Sequence, residues 1–277
     1  MLWWKRYFVF KIQKSMKVQI QKNSHTYTAD LSIPHDLSIP LREGLQNPNC
    51  FWAPPVEIWP VVAGDFVGST AQGGPVNFKN ITLNPHGNGT HTECVGHISK
   101  EKFTIHQCLT RFHFLAKLAT VYPTRLPNGD LVIQKNQLAE VLQPNEAAAF
   151  ILRTMPNDDH KLTANYSGTN PPYLHHEAAA YLVDCGVEHL LLDLPSVDRE
   201  EDGGQLLAHS TFWQYGGHFD DIRQNCTITE MIFVKNEIQD GLYLLNLQIA
   251  SFELDASPSK PVIYSVVGGR LTVDGGW

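Results

Sequence analysis

"PPYLHHEAAAYLVDCGVEHLLLDLPSVD", residues 171–198, decides the fold. Two prolines open it, alanines and leucines recur at helical spacing, and Gly186 closes that part as a helix end. The apolar run that follows has strand length and ends in a proline-containing turn. A helix passing at once into a hydrophobic strand marks a layered α/β domain. Upstream, "AAAFILRT" (147–154) reads as a strand buried on both faces. "KNQLAEVL" (135–142) reads as a short helix stopped by Pro144, and "FLAKLATVYP" (114–123) as a strand. Downstream, "TEMIFV" (229–234), "LYLLNLQIASFEL" (242–254) and "PVIYSVV" (261–267) read as further strands. Residues 30–80 are rich in Pro, Gly and Asn and read as strands and long loops around runs such as "IWPVV". No linker divides the chain, so a single α/β domain is expected.

Composition narrows the function classes. The 277 residues are 43% hydrophobic and 18% charged, an ordinary globular balance with ample material for a core. The net charge of -7 and the lack of a basic stripe argue against nucleic acid as a partner. Cys50, Cys94, Cys108, Cys185 and Cys226 are odd in number and irregularly spaced, which points to a reducing, cytoplasmic setting rather than a disulfide framework. The opening "MLWWKRYFVFKIQKSMKVQI" is too broken by Lys and Arg to span a bilayer. Residues 1–15 read as an upstream extension or a false start ahead of Met16, with a surface-lying amphipathic anchor as the alternative. The domain proper is then 16–277.

The chemistry concentrates in "NPHGNGTHTECVGH", residues 84–97. In an extended segment side chains alternate, so His91, Glu93 and His97 fall on one face. Two imidazoles and a carboxylate form a donor set for zinc or manganese. His86 is out of phase, but Gly87 and Gly89 can bend the chain and bring it back. A metal site draws ligands from elsewhere too. His209 in "LLAHSTFW" and Glu230 in the apolar "TITEMIF" are the candidates, because a carboxylate among apolar neighbours is costly unless paired or bound to metal. Glu230 as the outward residue of an alternating strand is the competing reading. His106, His113, His175, His176 and His189 lack a carboxylate at useful spacing and read as surface or helix-end residues. Cys94 as a nucleophile is disfavoured, since it would face away from Glu93.

"HGNGTHTECVGH" resembles the His-x-Gly-Thr-His-x-Asp-x-x-x-His signature of the cyclase family of metal-dependent hydrolases, which includes kynurenine formamidase and isatin hydrolase. "EAAAYLVDCGVEHLLLDLPSVD" is similar to the family's helix, strand and D-x-PS-x-D turn, and "AHS" with "ITEMI" to its later His and Glu; the likeness runs over roughly residues 28–268. The resemblance implies a compact mixed β/α/β domain of the swivelling type, in a homodimer or higher homo-oligomer. It implies one or two divalent ions per chain. His86, His91 and Glu93 match the first metal group, Glu93 standing where the family usually has Asp. His97 matches the general base, or a ligand of a second ion whose other ligands are His209 and Glu230. The chain departs from the signature by one extra residue between His86 and His91 and by lacking a proline before His97.

The expected activity is therefore metal-assisted hydrolysis of a small-molecule amide, an aryl formamide such as N-formylkynurenine or a cyclic amide such as isatin. Histidine, with an ordinary pKa of about 6.5, can accept and return a proton near neutrality. Phe51, Trp52 and Trp59, with Phe66, offer ring surfaces for an aromatic substrate, or alternatively pack a core or interface. A non-catalytic protein with a closed structural zinc site is the reading of a different class.

Overall fold

The computed structural model describes residues 15–22 and 24–270; the extension expected over 1–15 lies outside them except for Ser15. Seven strands close on themselves into a barrel. In chain order they are β1 (His91–Glu93), β2 (His113–Val121), β3 (Ala149–Thr154), β4 (His189–Leu192), β5 (Thr227–Glu230), β6 (Gly241–Ile249) and β7 (Ala256–Arg270). Around the ring the order is β7-β6-β2-β3-β4-β5-β1, with β1 pairing back onto β7. The β2–β3, β3–β4 and β4–β5 pairings are parallel and the rest antiparallel. Strands Lys17–Lys22 and His25–Asp30 continue the sheet along the far end of β7.

The expected single mixed α/β domain is what forms, and the strand pattern explains why. β3 is buried at every residue. Its Ala149 and Ile151 pack inside the barrel with Ala116, Leu118, Leu191 and Leu245. Its Phe150 and Leu152 pack outward with Leu190 and Leu192 beneath the helices. Those helices are α1 (Lys135–Val141), α2 (His176–Asp184) and α3 (Leu207–Trp213). α2 turns Ala178, Ala179 and Leu182 to the core. It ends where Gly186 takes φ 76° and the Val187 amide bonds back to Leu182, a left-handed helix stop that favours glycine. Each large side chain so buried contributes about 1.5–3 kcal/mol.

Three expectations need correction. The strand read over 242–254 ends at Ile249. "TEMIFV" is not one strand: β5 ends at Glu230 and Met231 turns out at φ 51°. His189 is neither a surface nor a helix-end residue. It lies in β4 at 2% exposure, with Nδ1 2.8 Å from Thr227 Oγ1 and its ring against Phe114. Burial, with Arg111 and Arg223 nearby, pushes its pKa down to about 3. No helix among the described residues is long and apolar enough to cross a membrane.

Candidate metal centre

β1 closes the barrel and carries the site. It pairs with β5 on one side, His91 opposite Glu230 and Glu93 opposite Ile228. On the other it pairs with β7, Glu93 opposite Ala256. Alternation sends Thr92 into the barrel, where its hydroxyl meets Thr229 Oγ1 at 2.8 Å. His91 and Glu93 then share the face turned to α3. The preceding loop is fitted by its glycines. Gly89 takes φ 75°, and a Cβ on Gly87 would fall 2.1 Å from Ala53 Cβ.

The structure brings all six expected ligands together. His86 Nδ1 lies 3.0 Å from Glu93 Oε2 and His97 Nδ1 3.7 Å from it. His91 Nε2 is 3.3 Å from Glu230 Oε2. His209 Nε2 is 3.1 Å from Glu93 Oε1 and 4.0 Å from Glu230 Oε1. Two triads that could hold an ion result, His86–Glu93–His97 and His91–Glu93–Glu230, with Glu93 common to both. His97 arrives by a different route from the one its spacing suggests. The chain leaves β1 after Glu93, and a 3-10 turn over Val95–His97 swings the imidazole back.

The atoms themselves test whether an ion fits. His91 Nε2 and Glu93 Oε2 are buried, and although Glu230 Oε2 and His86 Nδ1 lie 3.3 and 3.0 Å from them, neither contact has hydrogen-bond alignment. A buried polar atom left unsatisfied costs about 1–3 kcal/mol. A divalent cation held between these donors removes that cost, and imidazole with carboxylate is the donor chemistry of zinc or manganese sites. The residues fit such an ion.

Two aspartates outside the expected ligand set orient the histidines. Asp198 Oδ2 takes His209 Nδ1 at 2.6 Å, leaving Nε2 for the cluster. Asp255 Oδ2 takes His86 Nε2 at 2.7 Å and stands 3.5 Å from His97 Nδ1. Carboxylates that hold the far nitrogen of a ligating histidine are a usual second layer of metal sites. Asp198 was visible as the end of the "DLPSVD" turn. Asp255 carries no local signal, since it joins His86 from 169 residues away.

Charge follows from these contacts. Burial opposes the imidazolium of His86, but its hydrogen bond to Asp255 and the adjacent Glu93 carboxylate raise it to about 10. His209 is likewise raised to about 10, Asp198 and Glu93 outweighing its burial. Burial also opposes ionisation of Glu93, yet His97, His209 and His86 hold it well below the usual carboxylate range. Glu230 goes the other way, pushed up by burial and by the Glu93 charge.

A cavity of about 180 Å³ opens over the cluster. Of the aromatic residues expected to meet substrate, Phe51 lines it. Trp52 is instead exposed beside Gly168, its amide donating to Ser167 Oγ. Trp59 stands exposed on the two-stranded sheet of Glu57–Pro60 and Lys79–Thr82. Neither Trp52 nor Trp59 lines the cavity. Cys94 is buried in the barrel-side core, with its thiol pushed up by a hydrogen bond to Cys108 and by burial, so it offers no nucleophile.

The Cyclase family model matches residues 30–199. Over 93 residues the chain is 36% identical to a kynurenine formamidase from Bacillus cytotoxicus, covering 33% of this chain. That match spans 39% of the relative's own length. An isatin hydrolase bound to the product analogue thioisatinate superposes with TM-score 0.58 at 16% identity, over 84% of this chain and 92% of that one. Isatin hydrolase A from Labrenzia aggregata superposes with TM-score 0.60 at 11% identity, over 84% and 93%. At these identities the structural likeness shows the fold.

Proposed function

Since the chain belongs to the Cyclase family, we propose that it is a metal-dependent amidohydrolase of the arylformamidase type, acting on N-formylkynurenine or a related amide. The observation that carries this reading is the pair of His/Glu triads sharing Glu93, of which His86, Glu93, His97 and Glu230 line an open cavity with His91 buried behind them. An open cavity suits a reacting site better than a closed structural one.

His86, His91, Glu93, His209 and Glu230 would hold zinc or manganese, one or two ions per chain. A bound ion supplies an acidified water and polarises the scissile carbonyl. The chain's own groups do the rest. Asp198 and Asp255 fix the ring orientations of His209 and His86. His97 is half-exposed, with Nδ1 facing Glu93 and Asp255, so Nε2 is left to take a proton from water and return it to the departing amine. Addition of water to the carbonyl and loss of the C–N bond give a carboxylate and an amine. Phe51, which lines the cavity, offers apolar contact to an aromatic substrate. The five free, buried thiols suit a reducing cytoplasm.

Hydrolysis of a cyclic amide is the second reading, favoured by the superposition on isatin hydrolases. Zinc- or manganese-loaded protein assayed against N-formylkynurenine, isatin and simple esters tests both. Metal bound with no turnover of any of them would leave the structural-site reading standing.

A further inference from the structure

One wall of the cavity has no part in the chemistry above. It is formed by Arg199, Glu200 and Asp202, close to Phe51. These side chains differ in their hydrogen bonds. Glu200 accepts from the Gly168 and Asn170 amides at 2.6 and 3.0 Å. Asp202 accepts from the Gly204 and Leu206 amides at 2.7 and 2.6 Å. Asp198, at the same wall, is committed to Ala208 N, His209 N and His209 Nδ1. The acidic groups are occupied by the protein itself.

Arg199 is not. Its Nε donates to Asp130 Oδ2 at 3.1 Å and its Nη1 to the Glu201 carbonyl, while Nη2 has no partner among the described residues. Asp130 is itself pinned by Asn128, Asn170 and Tyr173 at 2.8–3.0 Å. The stem of the guanidinium is thus fixed and one N–H pair is left free. Arg199 also lines an adjoining cavity of about 320 Å³ with Tyr173 and Gln205, so it stands where the two spaces meet. A planar, permanently charged donor held in one place is suited to a carboxylate.

We propose that Arg199 is the anion anchor of the substrate site: the substrate is an aromatic amide carrying a carboxylate, its ring beside Phe51 and its amide toward the His/Glu cluster. This rests on the amidohydrolase reading. The test compares 2-formamidobenzoate with formanilide, which differ by one carboxylate, on metal-loaded wild type, Arg199→Gln and Arg199→Lys. Wild type is expected to prefer the anionic substrate by about tenfold or more in kcat/KM, as a charge-assisted hydrogen bond allows. Arg199→Gln should bring the ratio near one, mainly through KM, and Arg199→Lys should keep part of it. Asp130→Asn, which loosens the guanidinium, should raise KM for the anionic substrate. A ratio near one in wild type, or an unchanged ratio in a folded, metal-replete Arg199→Gln, overturns the anchor. Calorimetry of 2-formamidobenzoate on metal-free protein separates the two claims. Binding lost in Arg199→Gln supports the anchor even if no amide is hydrolysed, and the failure is then of the hydrolase reading alone. Equal binding to both proteins overturns the anchor.

Discussion

Glu93 is fully buried, and its carboxylate belongs to both ligand triads. Replacing it by Gln keeps the volume but removes the charge that sets the cluster. Glu93→Gln is expected to purify without bound metal and without turnover, while metal analysis of wild type shows one or two ions per chain. Wild-type metal content in the variant would refute the shared-ligand role. His97 makes the contrasting case, because the inner triad His91–Glu93–Glu230 does not need it. If His97 acts as the base, His97→Ala keeps at least one ion and loses about a hundred- to ten-thousand-fold in rate. If it holds a second ion, the variant loses about one ion per chain. Metal stoichiometry beside turnover decides between them, and a variant with wild-type values of both would remove His97 from the site.

At the scale of the element, the three-residue β1 is held in place by its neighbours rather than by its length. Thr90 shows this: its hydroxyl bonds the Met231 carbonyl at 2.6 Å and receives the Ile39 amide at 2.9 Å. The approach to β1 depends on Gly89, at φ 75° with its absent Cβ only 2.8 Å from Leu41 Cδ2. Gly89→Ala should cost about 1–2 kcal/mol, the left-handed penalty of an L-residue, before Leu41 yields. Denaturant melts check the stability, and metal titration should show weaker binding, since His86 and His91 flank the turn. An unchanged midpoint would mean that the turn relaxes freely. The same elements show what sequence pattern can and cannot carry. β3 and α2 were legible because continuous burial and helical periodicity write themselves into neighbouring residues. His91 with Glu93 was legible because strand alternation needs only two positions. His97 joins them by a turn, His189 is buried by a barrel that only long-range pairing builds, and Asp255 enters from the far end of the chain. None of these three leaves a local period to read. Arg199 carries no sequence signal for the same reason, its proposed role resting on which N–H groups remain unpaired after folding.

For the molecule as a whole, closing the barrel at β1 gathers the protonated histidines and the candidate metal ligands into one small volume, where protons and a bound ion would compete. In the metal-free chain, His86 and His209 are both raised to about 10, despite burial, by their hydrogen bonds to Asp255, Asp198 and Glu93. Histidine in an unfolded chain titrates at about 6.5. Between those values the folded chain binds more protons than the unfolded one. Their stabilising contribution is therefore full below about pH 6.5 and is lost as the pH rises toward 10. His189 has the opposite sign. Burial holds it neutral down to about 3, so stability is lost as the pH falls from about 6.5 toward that value. Taken together, the contribution of these three histidines to the stability of metal-free protein is greatest near pH 6.5. A metal ligated by His86 and His209 must expel their protons. Its apparent affinity then rises about tenfold per pH unit for each proton expelled, or about 1.4 kcal/mol. Melting temperatures taken with and without chelator across about pH 5.5–9 should draw apart as the pH rises. Calorimetry of metal binding in buffers of different ionisation enthalpy should count one or two protons released per chain near neutrality. A gap that stays constant with pH, together with no proton release, would show that the ion does not displace protons from His86 or His209, and would move the ligand set onto the inner triad alone.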